Sequence, residues 1–467
     1  MAKTKIILAI TAVIFFFLLS YRLLDVPTGF TVDESAFGYN AALLARTGYD
    51  ENGDKFPVFV NSINHSDWRQ PWTQYYITLF FKIFGISIYN LRLSSVVLTL
   101  ISALLLFYFV KLLLGQKLAF FSLILYLITP VVFMHSHLGL DNIMTVPFTL
   151  LWLINLFKYT TVKHRRFLLY SSLALGASFY TYKGMRAVVP VWSLISLLYI
   201  FKLKPRDTIY FLAGLLPFAL AVPILHHYYP GAIFGGARPK FDGIYNFFYS
   251  YLSHYDLNFL FIRGDALLFH STQIHGMYLL ASAPLFFLGI YQAIRKKKFW
   301  GFLLIAFLTA LALYGLVEST YRASRIICLV PLYVSLSALG FDFLIRQKRK
   351  IIPLILGCLI LINFIDFAKY YWFTYPKFTE NIFGHLTRDI SFRIFSDEAK
   401  SKGLNPYVDR DIFEGFFAAI HFEKLPQILD NQSLPPWGSI YLTSKDNLLG
   451  FTKLDLKLPE FNLFTFP

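Results

Sequence analysis

Long apolar runs, rather than amphipathic periodicities, organise most of this chain. A membrane-spanning helix needs about 20 apolar residues, and about eleven stretches approach that length: 5–23, 89–112, 118–134, 142–158, 166–180, 187–202, 208–226, 276–294, 299–317, 325–345 and 350–369. Polar residues return at 24–88, at 227–275 and beyond Tyr370. In the first of these breaks, SAFGYNAALLAR predicts an amphipathic helix lying at an interface. The stretch 73–86 is apolar but short and interrupted by Lys82, which predicts an interfacial or re-entrant helix. The run GSIYLT at 438–443 alternates like a strand. The pattern predicts an all-α polytopic membrane protein over 1–370, with a small α/β appendage over 371–467.

Composition supports this. With 56% hydrophobic and only 15% charged residues, the chain cannot cover a soluble surface. The net charge of +16 first suggests nucleic acid, but the basic residues sit in short clusters between apolar runs. These are Lys3/Lys5, Lys111/Lys117, Lys158–Arg166, Lys202–Arg206, Arg295–Lys298 and Arg346–Lys350. All fall on one side if the N-terminus is cytoplasmic and every run crosses, as the positive-inside rule requires. Nucleic-acid binding is therefore not expected, and the chain is expected in the inner (plasma) membrane. The loops 24–88 and 227–275 and the C-terminal appendage are expected outside. Lys3 and Lys5 before Ile6–Leu19 resemble a signal peptide, but no small-residue cleavage site precedes Asp25, so an uncleaved first span is expected. Cys328 and Cys358 lie inside apolar runs and offer no disulfide framework.

The outer loops hold cations that the charge rule disfavours: Arg69, Lys183, Arg186, Arg322 and Arg325. Each alone reads as a snorkelling anchor. Together, beside outer carboxylates, they suggest an anionic ligand. Asp33 and Glu34 follow the first span, where an acidic pair also suits a helix N-cap. MHSHLGLDNIM puts His135, His137 and Asp141 close together. That group could bind a divalent metal cation, or Asp141 could cap the next helix. FYTYKGMRAVVP offers Tyr180, Tyr182, Lys183 and Arg186 for a phosphate. FLFIRGDALLFHS adds Arg263, Asp265 and His270.

The order of these segments resembles the bacterial relatives of the protein O-mannosyltransferases and the lipid A aminoarabinose transferases. Both are GT-C type glycosyltransferases. The matching pieces are VDESAFGYNA, RQPWTQYY, HLGLDN, YTYKGMR, FLFIRGDALLFHS and YRASRIICLVP, in that order across 1–345. The resemblance implies a polyprenyl-phosphate sugar donor, a lipid, glycan or protein acceptor, and a site on the extracytoplasmic face. It implies that Asp33 of the Asp33–Glu34 pair is the catalytic base. Asp141 would be the acidic residue of the second outer loop. Arg186, with Arg322 or Arg325, would be the arginines near the donor phosphate, joined by Arg69, Tyr182 and Lys183. Metal ligands, where present, would come from Asp141, His135, His137 and His270. Two departures stand out: Arg69-Gln70-Pro71 replaces the usual Lys-Pro-Pro, and Phe269-His270 replaces Arg-His.

Transfer from such a donor expels a phosphate anion, which needs charge stabilisation but no proton. One base therefore suffices, unlike the carboxylate pair of a glycosidase. The alternatives are an outer-face glycan polymerase or ligase, which would not need the acidic pair, and a transporter. A transporter would place ionisable groups near the bilayer midplane, whereas here they gather at span ends.

Overall fold

The computed structural model describes residues 2–63, 65–233, 240–317, 320–347, 351–379, 382–385, 387–430, 433–448, 450–456, 458 and 460–466. Helix α1 (Ala2–Ser20) leads into strand β1 (Gly29–Phe30) and helix α2 (Val32–Thr47). Strands β2 (Val60–Ser62) and β3 (Asp67–Arg69) pair antiparallel before α3 (Pro71–Phe84) and α4 (Ile88–Leu114). The bundle continues through α5 (Gln116–Ile128), α6 (Pro130–Ser136), α7 (Thr145–Val162), α8 (Arg166–Ser178), α9 (Met185–Leu203) and α10 (Thr208–Tyr228). After α11 (Gly243–Leu252) come α12 (Ala283–Lys296), α13 (Lys298–Thr309), α14 (Ala323–Ile326), α15 (Val330–Ile345) and α16 (Ile351–Phe373). Helix α17 (Tyr375–Thr379) and strand β4 (Gly384–His385) enter the C-terminal unit. That unit holds α18 (Thr387–Lys402), β5 (Asn405–Asp409), α19 (Gly415–His421), β6 (Gln427–Leu429), β7 (Ser439–Thr443), β8 (Thr452–Lys453) and β9 (Asn462–Phe466).

Every apolar run contains a helix, but the runs are not equally long once folded. Among the described residues, seven helices are long and apolar enough to cross a membrane, or up to eight if a bent pair counts as one span. The bent pair is α5 and α6, which meet at 61°. Pro130 lacks the amide that would continue the ladder and biases Thr129 away from helical dihedrals, and Thr129 is extended, with ψ of 124°. The run 276–294 becomes continuous α-helix only from Ala283, and the last span reaches Phe373, slightly past the expected boundary.

Helices α12 and α15 touch backbone to backbone. A Cβ on Gly289 would stand 1.9 Å from the Leu336 carbonyl oxygen, and one on Gly340 2.0 Å from that of Leu285. Small residues allow this close packing, as they do between helices in bilayers.

The basic clusters gather at one end of the bundle. Phe299, next to Lys298, packs against Phe109, Phe157 and Tyr199, each within a few residues of Lys111, Lys158 or Lys202. Gln116 bonds Thr4, bringing the N-terminus to the same end. Two acids balance part of the charge there. Asp207 pairs with Arg165 and Lys204, and Asp342 with Arg346 and Lys296.

At the opposite end, the C-terminal unit forms a five-stranded sheet in the order β6-β5-β7-β9-β8. Strand β5 runs parallel to β6 and β7, while β9 is antiparallel to β7 and β8. The unit does not stand apart from the bundle. Strand β4 pairs with β1, and Phe392, Phe395, Phe416 and Phe417 share one core with Phe30, Phe37, Phe81 and Leu91. Two glycines make the closest fit: a Cβ on Gly38 would meet the Phe416 ring at 2.7 Å, and one on Gly415 the Tyr39 ring at 2.7 Å.

Candidate active site

The first loop is locked to the bundle by a buried ion pair. Helix α2 starts with a capping box, in which the Thr31 side chain accepts from the Glu34 amide while the Glu34 carboxylate accepts from the Thr31 amide. The other Glu34 oxygen accepts from Arg92 Nε at 3.2 Å and from the Gly139 amide at 3.0 Å. Neither Glu34 nor Arg92 is exposed. Arg92 also donates to the carbonyls of Leu23 and Pro27 at 3.0 and 3.1 Å, and to that of Gly29. Arg92 and Glu34 thus tie the end of α1, the start of α2 and the loop before Asp141 to helix α4. The fully buried Glu34, expected within the reactive pair, occupies this joint.

Asp33, its neighbour, turns the other way. Its Oδ1 accepts from Arg69 Nη1 at 2.8 Å. Arg69 itself is buried, lies over the Phe37 ring, and donates to Ser62 at 2.8 Å and to Asp67 at 2.7 Å. Asp67 forms a second ion pair with Lys183. Strand β3 makes this bridge possible: alternation puts Asp67 and Arg69 on one face and Trp68 on the other, and Trp68 packs against Tyr229.

These groups surround a cavity of about 160 Å³, lined by Asp33, Asp67, Arg69, Asp141, Lys183 and His270, with Tyr182, Asn142 and Ser324 completing the wall. Burial pushes the Asp141 carboxyl up to about 7; the Asp33 charge adds to that rise and the Arg69 charge opposes it. Burial, with the Arg186 charge, brings the Lys183 ammonium down to about 8. Near neutrality the Asp141 carboxyl is therefore partly protonated, while the Lys183 ammonium still keeps most of its charge. His270 is pushed down to about 4 by burial and by the Arg322 and Arg325 charges.

The remaining cations form a layer behind this wall. Arg325 donates to the Tyr182 hydroxyl at 2.9 Å, and Tyr182 donates on to Ser324 at 3.0 Å. Arg186 donates to Gln70 at 2.8 Å and to the Ile233 carbonyl at 2.6 Å. Gln70, standing where the resemblance leads one to expect proline, is what receives Arg186. Arg322 lies close enough to Asp265 and His270 to influence both charges. Asp265 lies outside this cavity's wall as a buried brace, accepting from the Ala323 amide at 2.7 Å and the Leu267 amide at 2.8 Å.

Of the residues named as possible metal ligands, Asp141 and His270 line the same cavity. His135 bonds His270 at 3.1 Å with the rings stacked. His137 packs against Phe133 and Tyr371. Among the described residues, no group of three or more His, Cys, Asp or Glu is placed to hold a metal ion.

Arg92, Asp67, Gln70, Asn142 and Ser324 escaped the sequence reading. Asp67 had a usable signal in its period-2 spacing from Arg69. Arg92 carries a signal as a lone cation at the start of an apolar run.

Comparison with known proteins agrees with this architecture. Residues 66–227 match the family model described as dolichyl-phosphate-mannose-protein mannosyltransferase. No curated protein sequence matches significantly. The fold is similar to the crystal structure of ArnT from Cupriavidus metallidurans in the apo state, with a TM-score of 0.62 and 11% identity over 99% of this chain and 98% of that one. The same protein bound to undecaprenyl phosphate gives a TM-score of 0.59 at 12% identity, covering 98% and 97%. The Archaeoglobus fulgidus oligosaccharyltransferase complex with Zn and sulfate gives 0.50 at 11%, covering 89% of this chain and 61% of that one. Fold and matched segment together define a multi-pass membrane glycosyltransferase of the GT-C type. Within it, residues 66–227, about a third of the chain, are the part similar to the mannosyltransferase family.

Proposed function

We propose that this enzyme transfers a sugar, with inversion, from a polyprenyl-phosphate donor to an acceptor hydroxyl on the extracytoplasmic face. The observation that carries the reading is the convergence of Asp33, Asp141, Arg69 and Lys183 on one cavity. Arg69 holds Asp33 by Oδ1, leaving Oδ2 to take the proton of the incoming hydroxyl. The acceptor oxygen bonds the anomeric carbon as the bond from that carbon to the phosphate oxygen breaks. The electron pair leaves with the phosphate, whose charge is met by Lys183 and Arg69, with Arg186 and Arg325 behind. A protonated Asp141 would donate a hydrogen bond to that phosphate instead of repelling it. Preorganised charge of this kind is usually the largest contribution to such a step.

An open, mostly apolar groove supports a lipid-linked donor. Helix α11 and Tyr321 line a space of about 920 Å³ through Ile244, Phe248 and Leu252, and Tyr321 adjoins Arg322. The similar ArnT structure with undecaprenyl phosphate is consistent with such a ligand.

The test is transfer from labelled undecaprenyl-phosphate sugars in vesicles. Asp33→Asn should lower the rate by ~10²–10⁴-fold, the usual contribution of a general base, with insertion and donor binding unchanged. An Asp33→Asn enzyme at full activity would overturn the mechanism. For orientation, a cysteine at Ala266 should react with an impermeant reagent on intact cells, and one at Lys297 only after permeabilisation. The reverse pattern would move the site to the cytoplasmic face.

A further inference from the structure

A second cavity, of about 220 Å³, lies on the other side of the first turn of α2. Its wall includes Val32 and Ser35, which lie on one helix face because they are three residues apart. Asp33 stands about 100° around that helix and faces the first cavity. The fourth outer loop repeats the division: Phe269 lines the second cavity and His270 the first. Consecutive residues on two separate elements thus face two back-to-back spaces, with Asp33 in the partition.

The second cavity has both apolar and polar walls. Phe30, Phe269 and Phe417 supply aromatic surface, and Phe269 is itself held edge-on by Phe383. Arg388 and Glu414 supply fixed polar groups. They are paired with each other, and Arg388 also bonds Glu460 at 3.0 Å. One guanidinium against two carboxylates gives no positive excess to attract an anion. The pairing of β1 with β4 closes this space between the first loop and the C-terminal unit.

We propose that this second cavity is the acceptor subsite and that it takes a neutral saccharide. The proposal rests on the glycosyl-transfer reading of Asp33. A sugar ring presents apolar C–H faces and a rim of hydroxyls. Aromatic walls interrupted by fixed polar groups match both, as pockets that orient a polar ligand do. A lipid chain would leave the Arg388–Glu414 pair facing hydrocarbon, a costly arrangement. An extended peptide docks by adding to an open sheet edge, and the two-residue β1–β4 ribbon offers little length for that. An acceptor seated here would extend its hydroxyl over the first turn of α2, past the exposed Val32, to reach Asp33 in the first cavity. Phe269, standing where the family resemblance leads one to expect arginine, gives this subsite an apolar face.

The experiment uses the full chain in lipid nanodiscs and a panel of methyl glycosides of glucose, mannose, galactose, rhamnose, arabinose and N-acetylglucosamine. Binding is read by saturation-transfer NMR, with a Ser/Thr-rich peptide as competitor class. At least one glycoside should bind, and Arg388→Gln and Phe269→Ala should each weaken it more than fivefold. Ser35→Val, which leaves the ion pairs intact, should do the same and guards against simple misfolding. Undecaprenyl phosphate, followed by tryptophan fluorescence, should bind all three variants as it binds the parent and should not displace the glycoside. Failure of every glycoside, persistence in all three variants, displacement by undecaprenyl phosphate, or binding of the peptide instead would each overturn the proposal. Loss of undecaprenyl phosphate binding by the parent protein would instead count against the donor reading.

Discussion

Asp33 and Glu34 are adjacent and chemically alike, yet the fold gives them opposite surroundings. Glu34 is enclosed with Arg92 and Gly139, while Asp33 is half exposed and held by Arg69 at a cavity. The family resemblance singled out Asp33 as the base, but residue chemistry alone could not divide the pair, because the division depends on which helix face meets α4. Lys183 makes a testable case at this scale. Its ammonium is brought down to about 8, so it loses charge as pH rises through that value. Undecaprenyl phosphate affinity should therefore fall about tenfold from about pH 7 to about pH 9, since a charged hydrogen bond contributes about 1.5–3 kcal/mol. Lys183→Arg, which stays protonated, should flatten that dependence in the same fluorescence titration. Asp141 has a consequence for stability. Its carboxyl is raised to about 7 in the folded protein, so the native state binds more protons than the unfolded state between its ordinary value and about 7. Stability should fall as pH rises through that window. Asp141→Asn should remove the fall in thermal unfolding measured across it.

Among the elements, the joint between α2 and α4 carries the most consequence. Removing one partner of a buried pair typically costs about 3–5 kcal/mol, because the other charge is left without compensation. Arg92→Met should therefore unfold at markedly lower temperature in detergent. The double variant Glu34→Gln, Arg92→Met should recover a large part of that loss, since glutamine still completes the capping box. Equal destabilisation of the single and double variants would show that Arg92 acts only through the loop carbonyls. The helices themselves were legible from apolar run length, because a segment without water must satisfy its own backbone. Their interruptions were less so. The bend before Pro130 carries a proline signal, and the late start of α12 at Ala283 carries a second one in Pro284 at its first turn, but apolar run length registers neither.

At the scale of the whole molecule, the C-terminal unit is packed onto the first loop and forms the far wall of the second cavity. Gly38→Val would drive a side chain into the Phe416 ring, and overpacking of this kind costs about 1–3 kcal/mol. Limited proteolysis should then cleave the connection between α17 and α18 sooner, while helical content by circular dichroism stays constant. Unchanged protection would mean that the strand β4 pairing alone holds the unit in place. The reading of residues 371–467 as a small α/β appendage anticipated the sheet but not this shared core. By itself the sequence determined the membrane-spanning helical class, the shared end of the basic clusters and the list of polar residues at the other end. Those follow from one-dimensional quantities: apolar length, charge position and local motif order. Only the tertiary structure decided which polar residues line the cavity and which brace the scaffold. It turned Asp33 toward a cavity, Glu34 into a clamp, and stacked His135 on His270. That choice is made by side chains far apart in the chain, such as Arg69, Arg92, Gly139 and Phe416, whose proximity no local pattern records.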